Sequence, residues 1–196
     1  TIIPDFSYLR ENSQQIVGVF LTHGHADAIG ALPYFLNEFN VPVFGSELTI
    51  ALAKISVKAD KNKRVANFND FHIVDEKTEI DFAGTTVSFF RTTHSIPESL
   101  GIVIKTVEGN VVYTGDFRFD QTAAPEYQTD FERLAEIGKD GVLALLSDSA
   151  NAENPKETVD EREIYELVSD NFEYRKGRII VACVASNIVR VQQIFN

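Results

Sequence analysis

The chain has 196 residues, 44% of them hydrophobic and 24% charged, which is enough for one sizeable core or for one domain with part of a second. No apolar run approaches the length of a transmembrane helix, and no basic-then-apolar leader is present, so we expect no membrane partner. The formal net charge of −11 indicates an acidic surface that repels phosphate backbones at long range.

Two features of composition bear on origin and compartment. Cys183 is the single cysteine, which excludes an intrachain disulfide and favours a reducing, cytoplasmic environment. The sequence contains no methionine and begins with Thr1. We therefore expect it to be part of a longer protein.

Apolar runs bounded by turn residues alternate with helical patterns, which is typical of a layered α/β fold. Strands are predicted over residues 16–21, 41–44, 65–74, 79–82, 85–93, 101–106, 111–114, 142–146 (as a buried strand) and 178–184. Helices are predicted over residues 29–39, 46–55, 129–137 and 158–174, and from 187 onward, with a solvated basic loop over 58–64. A domain boundary is predicted near Asn154 and Pro155, where the run of strands ends and a new helix–strand–helix pattern begins.

The first polar loop carries residues that bind metals. His23, His25 and Asp27 follow the first predicted strand at alternate positions, so in an extended segment their side chains point to one side. Gly24 between the two histidines permits a backbone path that a larger residue would obstruct. The spacing predicts that three ligand-type side chains converge at the end of a strand.

Two further candidate ligands, His94 and Asp116, each follow a strand of their own. Imidazole nitrogens together with carboxylate oxygens suit Zn²⁺ and are equally acceptable to Mn²⁺. These residues together predict a metal site, whereas the histidine pair alone would be equally compatible with a metal site and with ordinary polar side chains. His72 is interpreted as an ordinary polar group at a strand end.

These motifs resemble a known superfamily. The segments THGHADAIG (from Thr22), the Thr93–Ser95 tripeptide and YTGD (ending at Asp116) are similar to the metal motifs of the metallo-β-lactamase superfamily. LTHGHADAIGALPYFL, FFRTTHSIPESLGI, YTGDFRFD and LLSDSANAENP resemble, more narrowly, ribonuclease J of the β-CASP branch. The resemblance implies an αββα sandwich with the start of an inserted β-CASP α/β domain. Residues 1–154 would form the lactamase-type domain without its N-terminal strands, and residues 155–196 would form the truncated beginning of the β-CASP domain.

Carried over position by position, the resemblance implies a site with two metals. His23, His25 and His94 match the ligands of the first ion, Asp116 the carboxylate between the ions, and Asp27 a ligand of the second. Asp27 and Asp148 are the candidate catalytic carboxylates; Asp148 matches an acidic motif with a proton-donor role, and its alternative interpretation is a turn cap. The sequence departs from the superfamily motif at Ala28, where a second-metal histidine is expected.

The resemblance implies metal-dependent hydrolysis of RNA by a 5′-to-3′ exonuclease, with endonucleolytic cleavage left open. The expected roles are mRNA decay and rRNA maturation in the cytoplasm. Because Ala28 impairs the second site for Zn²⁺ or Mn²⁺, we expect weak activity, as in the second paralogue of a bacterial pair. The first alternative is a non-catalytic or regulatory partner of an active paralogue. The second, a thioester or lactam hydrolase, gives no role to the segment from Thr158 onward.

Basic residues provide two weaker candidates for contacts with RNA. Arg190 is one, although Ser186 and Asn187 before it are also explained as helix caps. The other is a cluster that could contact RNA phosphates or a partner, although a solvated loop is the favoured interpretation: Lys54, Lys58, Lys61, Lys63 and Arg64.

Overall fold

The structure is a computed structural model that describes residues 2–155 and 161–195. A short helix α1 (Ser7–Glu11) leads into a three-stranded parallel sheet with strand order β1-β2-β3. These strands are β1 (Val19–Phe20), β2 (Val43–Gly45) and β3 (Phe71–Ile73). The connecting helices are α2 (Ala26–Ile29), α3 (Leu32–Glu38), α4 (Glu47–Lys58) and α5 (Lys63–Ala66).

A second sheet has five strands in sequential order. They are β4 (Glu79–Asp81), β5 (Thr86–Arg91), β6 (Leu100–Thr106), β7 (Gly109–Tyr113) and β8 (Val142–Leu146). The first four pair antiparallel, and β8 pairs parallel to β7 because helix α6 (Phe131–Asp140) crosses between them. Two further helices follow, α7 (Glu161–Tyr174) and α8 (Ile188–Phe195).

The alternation of side chains along the strands builds four layers. On β2, Val43 packs against the helices α3 and α4, whereas Phe44 packs against Phe89 of the second sheet. On β5, Phe89 points into this space between the sheets and its neighbour Phe90 packs towards Ile137 of α6. The order is helix, sheet, sheet, helix, so the predicted αββα sandwich is confirmed.

The first sheet differs from the prediction in two places. Val65 lies in helix α5 and not in a strand, because Asn62 caps that helix by accepting a hydrogen bond from the backbone N–H of Arg64. The predicted strand 65–74 therefore shrinks to β3, and the predicted loop 58–64 runs into a helix. The predicted helix 29–39 is also interrupted: α2 ends at Ile29, and Pro33 lies in the first turn of α3.

Two predictions for the last third of the chain are wrong. Strand β8 has the predicted bounds, but its large side chains are 43–63% exposed. The reason is that β8 is an edge strand of the sheet among the described residues. Residues 178–184 form no strand in the described part of the chain. Thr158, the predicted helix start, lies outside the described residues, while the helix after Asn187 is confirmed as α8. Within residues 2–155 and 161–195, no helix has the length and hydropathy needed to cross a membrane.

The space between the sheets should dominate the stability of this domain. Phe89 is fully buried there, so replacing it with alanine removes the contacts of a whole ring and should lower the free energy of unfolding by about 3–5 kcal/mol. Phe119, which is 62% exposed, is the matched control, and Phe119→Ala should cost less than about 1 kcal/mol. Denaturant unfolding of both variants of the whole protein checks this, and equal losses would contradict the layered packing.

Candidate metal centre

The five predicted ligands lie at strand ends that meet at one edge of the sandwich. His23 and His25 occupy the loop after β1, and Asp27 lies in the first turn of α2. His94 follows β5, and Asp116 follows β7. The structure brings all five together, because ligand atoms from these residues form two overlapping groups, each with its atoms within 4.8 Å of one another.

The three imidazoles form the first group. Their ring centroids are 4.8–4.9 Å apart, and the rings meet edge to face. His25 Nδ1 lies 3.1 Å from His94 Nε2, and His23 is 2% exposed. Three nitrogens that converge from two sheets are the donor set that Zn²⁺ and Mn²⁺ accept.

The outer contacts of two rings decide which nitrogen faces this group. Thr22 Oγ1 lies 3.0 Å from His23 Nδ1, and the backbone carbonyl of Ser186 lies 3.1 Å from His25 Nε2. A carbonyl only accepts hydrogen bonds, so His25 carries its proton on Nε2 and directs the Nδ1 lone pair into the cluster. His23 Nε2 is buried and has no hydrogen-bond partner among the described residues, which is how a ligand atom is left when no ion is present.

The carboxylates form the second group around the same nitrogen. Asp27 Oδ2 and Asp116 Oδ2 each lie 3.9 Å from His23 Nε2. Asp116 Oδ2 is also 3.7 Å from His94 Nε2, so this carboxylate borders both groups. These separations are too long for hydrogen bonds and are compatible with ligands that share an ion.

Burial keeps the imidazoles in the form that binds metal. Desolvation lowers the pKa of His23, and it lowers the pKa of His94 to about 4, with further contributions from the neighbouring His23 and His25. Both rings are therefore neutral at physiological pH, as ligation of a divalent cation requires.

Two glycines make the approach of the loops possible. Gly115, directly before Asp116, has φ +59°, and a Cβ there would lie 2.8 Å from Thr22 Cβ. Any other residue would be strained and would push the Asp116 loop away from the His23 loop. At Gly24 a Cβ would lie 2.5 Å from Leu52 Cδ1, so the reason for this glycine is close packing against helix α4.

Comparison with known proteins gives this geometry a family. The family model described as metallo-beta-lactamase superfamily matches residues 3–160. The chain belongs to the metallo-beta-lactamase superfamily. It is 60% identical to a protein of Streptococcus pyogenes named Ribonuclease J 2, and 48% and 46% identical to proteins of that name from Staphylococcus epidermidis and Staphylococcus aureus. Each match covers 100% of this chain but only 34–35% of the relative, so the chain spans about a third of their length.

A solved structure supports the superfamily fold. The crystal structure of a protein of unknown function from Enterococcus faecalis superposes on this chain with a TM-score of 0.62. The match covers 91% of this chain and 44% of the other, at 18% sequence identity. At that identity the likeness bears on the fold alone.

Ala28 differs from the superfamily motif in a way that the structure makes plain. Its methyl group is half-buried and packs against the apolar cluster beneath α3 and α4. The alanine side chain has no atom that can bind a metal, so the side chain at this position contributes packing only. The second ligand group therefore consists of His23, Asp27 and Asp116, with no imidazole from residue 28.

Asp148 and His72 lie outside both ligand groups. Asp148 Oδ1 accepts a hydrogen bond from the Ala150 N–H, which is the turn-cap geometry that the sequence left as an alternative. Its backbone N–H donates to Thr114 Oγ1, which ties it to the loop of Asp116. His72 is half exposed and contacts Asp70, as an ordinary surface histidine does.

The sequence did not reveal the outer contacts of the histidines. Thr22 directly precedes His23 in the sequence, and this position is the local signal for their contact. The Ser186 carbonyl is 161 positions from His25, and a backbone acceptor has no sequence signature. The role of Arg64 was also missed: its guanidinium donates to the carbonyls of Leu36 and Asn37 and so anchors α5 beside α3.

The neutrality of His94 can be measured directly. In the metal-free protein its ring should titrate with a midpoint of about 4, and NMR of ring-labelled histidine checks this. The folded-state pKa lies below the usual 6.5, so only the unfolded state takes up this proton as the pH falls from 6.5 towards 4. Stability of the metal-free protein should therefore decrease through that range, and a midpoint near 6.5 would contradict the buried, crowded site.

Proposed function

We propose that the whole protein is a metal-dependent ribonuclease of the ribonuclease J type. The observation that carries this proposal is the convergence of five side chains on His23 Nε2, a buried nitrogen with no hydrogen-bond partner among the described residues: His23, His25, His94, Asp27 and Asp116. The relatives named Ribonuclease J 2 support RNA as the substrate. The proposed reaction is 5′-to-3′ hydrolysis of RNA phosphodiesters, with endonucleolytic cleavage left open, in mRNA decay and rRNA maturation in the cytoplasm.

The residues fit one ion well and a second ion less well. His23 Nε2, His25 Nδ1 and His94 Nε2 would hold the first ion, Zn²⁺ or Mn²⁺, with Asp116 between it and a second ion held by Asp27. A bound ion of this kind supplies a nucleophilic water at neutral pH and charge stabilisation at the phosphoryl oxygens. The chain's own contribution is to orient the ligands, through Thr22 on His23 and the Ser186 carbonyl on His25.

A proton donor for the leaving oxygen is proposed at Asp148. Its Oδ1 accepts a hydrogen bond from the Ala150 N–H, and we assign the donor role to the second carboxylate oxygen. The backbone bond to Thr114 would keep this carboxylate on the same loop system as Asp116. These two hydrogen bonds support a fixed position for Asp148 in the turn after β8.

Substrate would reach the metal centre through the cavity beside His94. This cavity has a volume of about 410 Å³, and its lining includes Arg118 and Tyr127 together with Arg162 and Tyr165 of α7. Because this chain carries a net charge of −11, we propose that basic surface elsewhere in the protein, or a paralogous subunit, holds most of the RNA. We also propose that residues 1–154 belong to a lactamase-type domain and that a β-CASP domain starts at residue 155.

Ala28 is the observation that favours a second candidate function. With one imidazole fewer, the second ion would be held weakly and catalysis would be slow. The protein would then serve mainly as a regulatory or non-catalytic partner of an active paralogue. The two candidates differ in whether activity depends on His23.

The test uses the whole protein with 5′-monophosphorylated RNA and Mn²⁺. His23→Ala removes a ligand shared by both groups and should lower the rate at least about 100-fold. His72→Ala removes an exposed histidine outside the cluster and should leave the rate unchanged. Ala28→His should raise the rate several-fold by supplying an imidazole near Asp27.

The outcomes separate the candidates. Activity that survives His23→Ala would contradict the metal site as the source of catalysis. Weak activity that is equal in wild type, His23→Ala and Ala28→His would favour the partner role. If His23→Ala lowers the rate but Ala28→His does not raise it, the ribonuclease function is supported, and a defect other than the missing histidine limits the rate.

A further inference from the structure

The turn before α8 contacts a metal-ligand histidine. The carbonyl oxygen of Ser186 lies 3.1 Å from His25 Nε2, although the two residues are 161 positions apart. The outward nitrogen of a ligand histidine needs such an acceptor, because the acceptor sets which ring nitrogen carries the proton. The orientation of His25 therefore depends on where this one peptide group is held.

The position of that peptide group is set by Asn187. Its side-chain Oδ1 accepts a hydrogen bond from the backbone N–H of Arg190 at 3.0 Å, which is the N-cap geometry of an α-helix. Its backbone N–H donates to the Val184 carbonyl at 3.0 Å, and its own carbonyl accepts from Val191 at 3.1 Å. The hydrogen bonds of Asn187 thus connect the preceding turn, through the Val184 carbonyl, with the first turn of α8.

The Ser186 carbonyl is used by two donors. The N–H of Ile188 donates to it at 3.0 Å, and His25 Nε2–H is the second donor. The direction of this carbonyl is therefore fixed from inside the turn, and His25 meets an acceptor that is already oriented. A preorganised acceptor costs less conformational entropy than a mobile side chain would.

We propose that Asn187 is a positioning residue for the metal centre: by capping α8 it holds the Ser186 carbonyl against His25 Nε2, so that Nδ1 faces the metal. The inference rests on the proposed metal site. It couples the segment after residue 184 to a ligand in the first domain, in addition to the local role of a helix cap.

The experiment compares three variants of the whole protein. Asn187→Ala removes the cap, and Asn187→Ser restores an oxygen that can accept from the start of α8. Asn62→Ala is the matched control, because Asn62 caps α5 in the same way and contacts no metal ligand among the described residues. Each is measured without metal by ¹⁵N NMR of labelled histidine, with His25→Gln to assign the signal, and with Zn²⁺ by competition against a chelator.

In wild type the His25 signals should show a protonated Nε2 and an unprotonated Nδ1. Asn187→Ala should shift them towards the average of the two tautomers and weaken Zn²⁺ binding by about 10-fold or more. Asn187→Ser should restore both readouts, and Asn62→Ala should change neither.

Two results would overturn the proposal. One is an unchanged tautomer and unchanged Zn²⁺ affinity in Asn187→Ala, which would reduce Asn187 to a helix cap. The other is an equal effect of Asn62→Ala, which would attribute the change to general destabilisation. If wild type binds no Zn²⁺ at all, the proposed metal site fails, whereas the tautomer readout still tests the contact between the turn and His25.

Discussion

The buried Nε2 atom of His23 is the constraint on which the rest of the site depends. This nitrogen lacks a hydrogen-bond partner among the described residues, and leaving a polar atom buried and unpaired costs about 1–3 kcal/mol. Asp27 and Asp116 approach it from two directions without forming hydrogen bonds to it. A cation at this point would satisfy the nitrogen and both carboxylates together, which explains why the fold tolerates the arrangement.

The sandwich supplies the rigidity that such a site requires. Phe44 and Phe89 lock the two sheets face to face, so the strand ends that carry His23, His94 and Asp116 have fixed separations. Gly115 then allows its loop to approach Thr22 closely. The orientation of the His25 ring is fixed by the Ser186 carbonyl, which lies in the turn before α8.

The residues of the site were largely predictable from the sequence, because each of them follows a strand whose end lies at one edge of the sandwich. The extended segment expected over His23, His25 and Asp27 is not observed: the chain bends at His25, and Asp27 approaches His23 from the first turn of α2. The contact of the Ser186 carbonyl with His25 was not predictable, because a backbone acceptor 161 positions away has no sequence signature. The helix at Val65 had a local signal in the cap residue Asn62, which the apolar pattern of residues 65–74 outweighed in the prediction. Strand β8 has the composition of a buried strand, but burial depends on neighbours that the sequence of one strand does not specify.

The central claim is that three imidazoles and two carboxylates form one metal centre, and anomalous diffraction from crystals of the whole protein grown with Zn²⁺ tests it most directly. The account predicts an anomalous peak about 2.0–2.1 Å from His23 Nε2, His25 Nδ1 and His94 Nε2. Zn²⁺ bound only elsewhere, or bound through His25 Nε2 with the Ser186 carbonyl turned away, would contradict it.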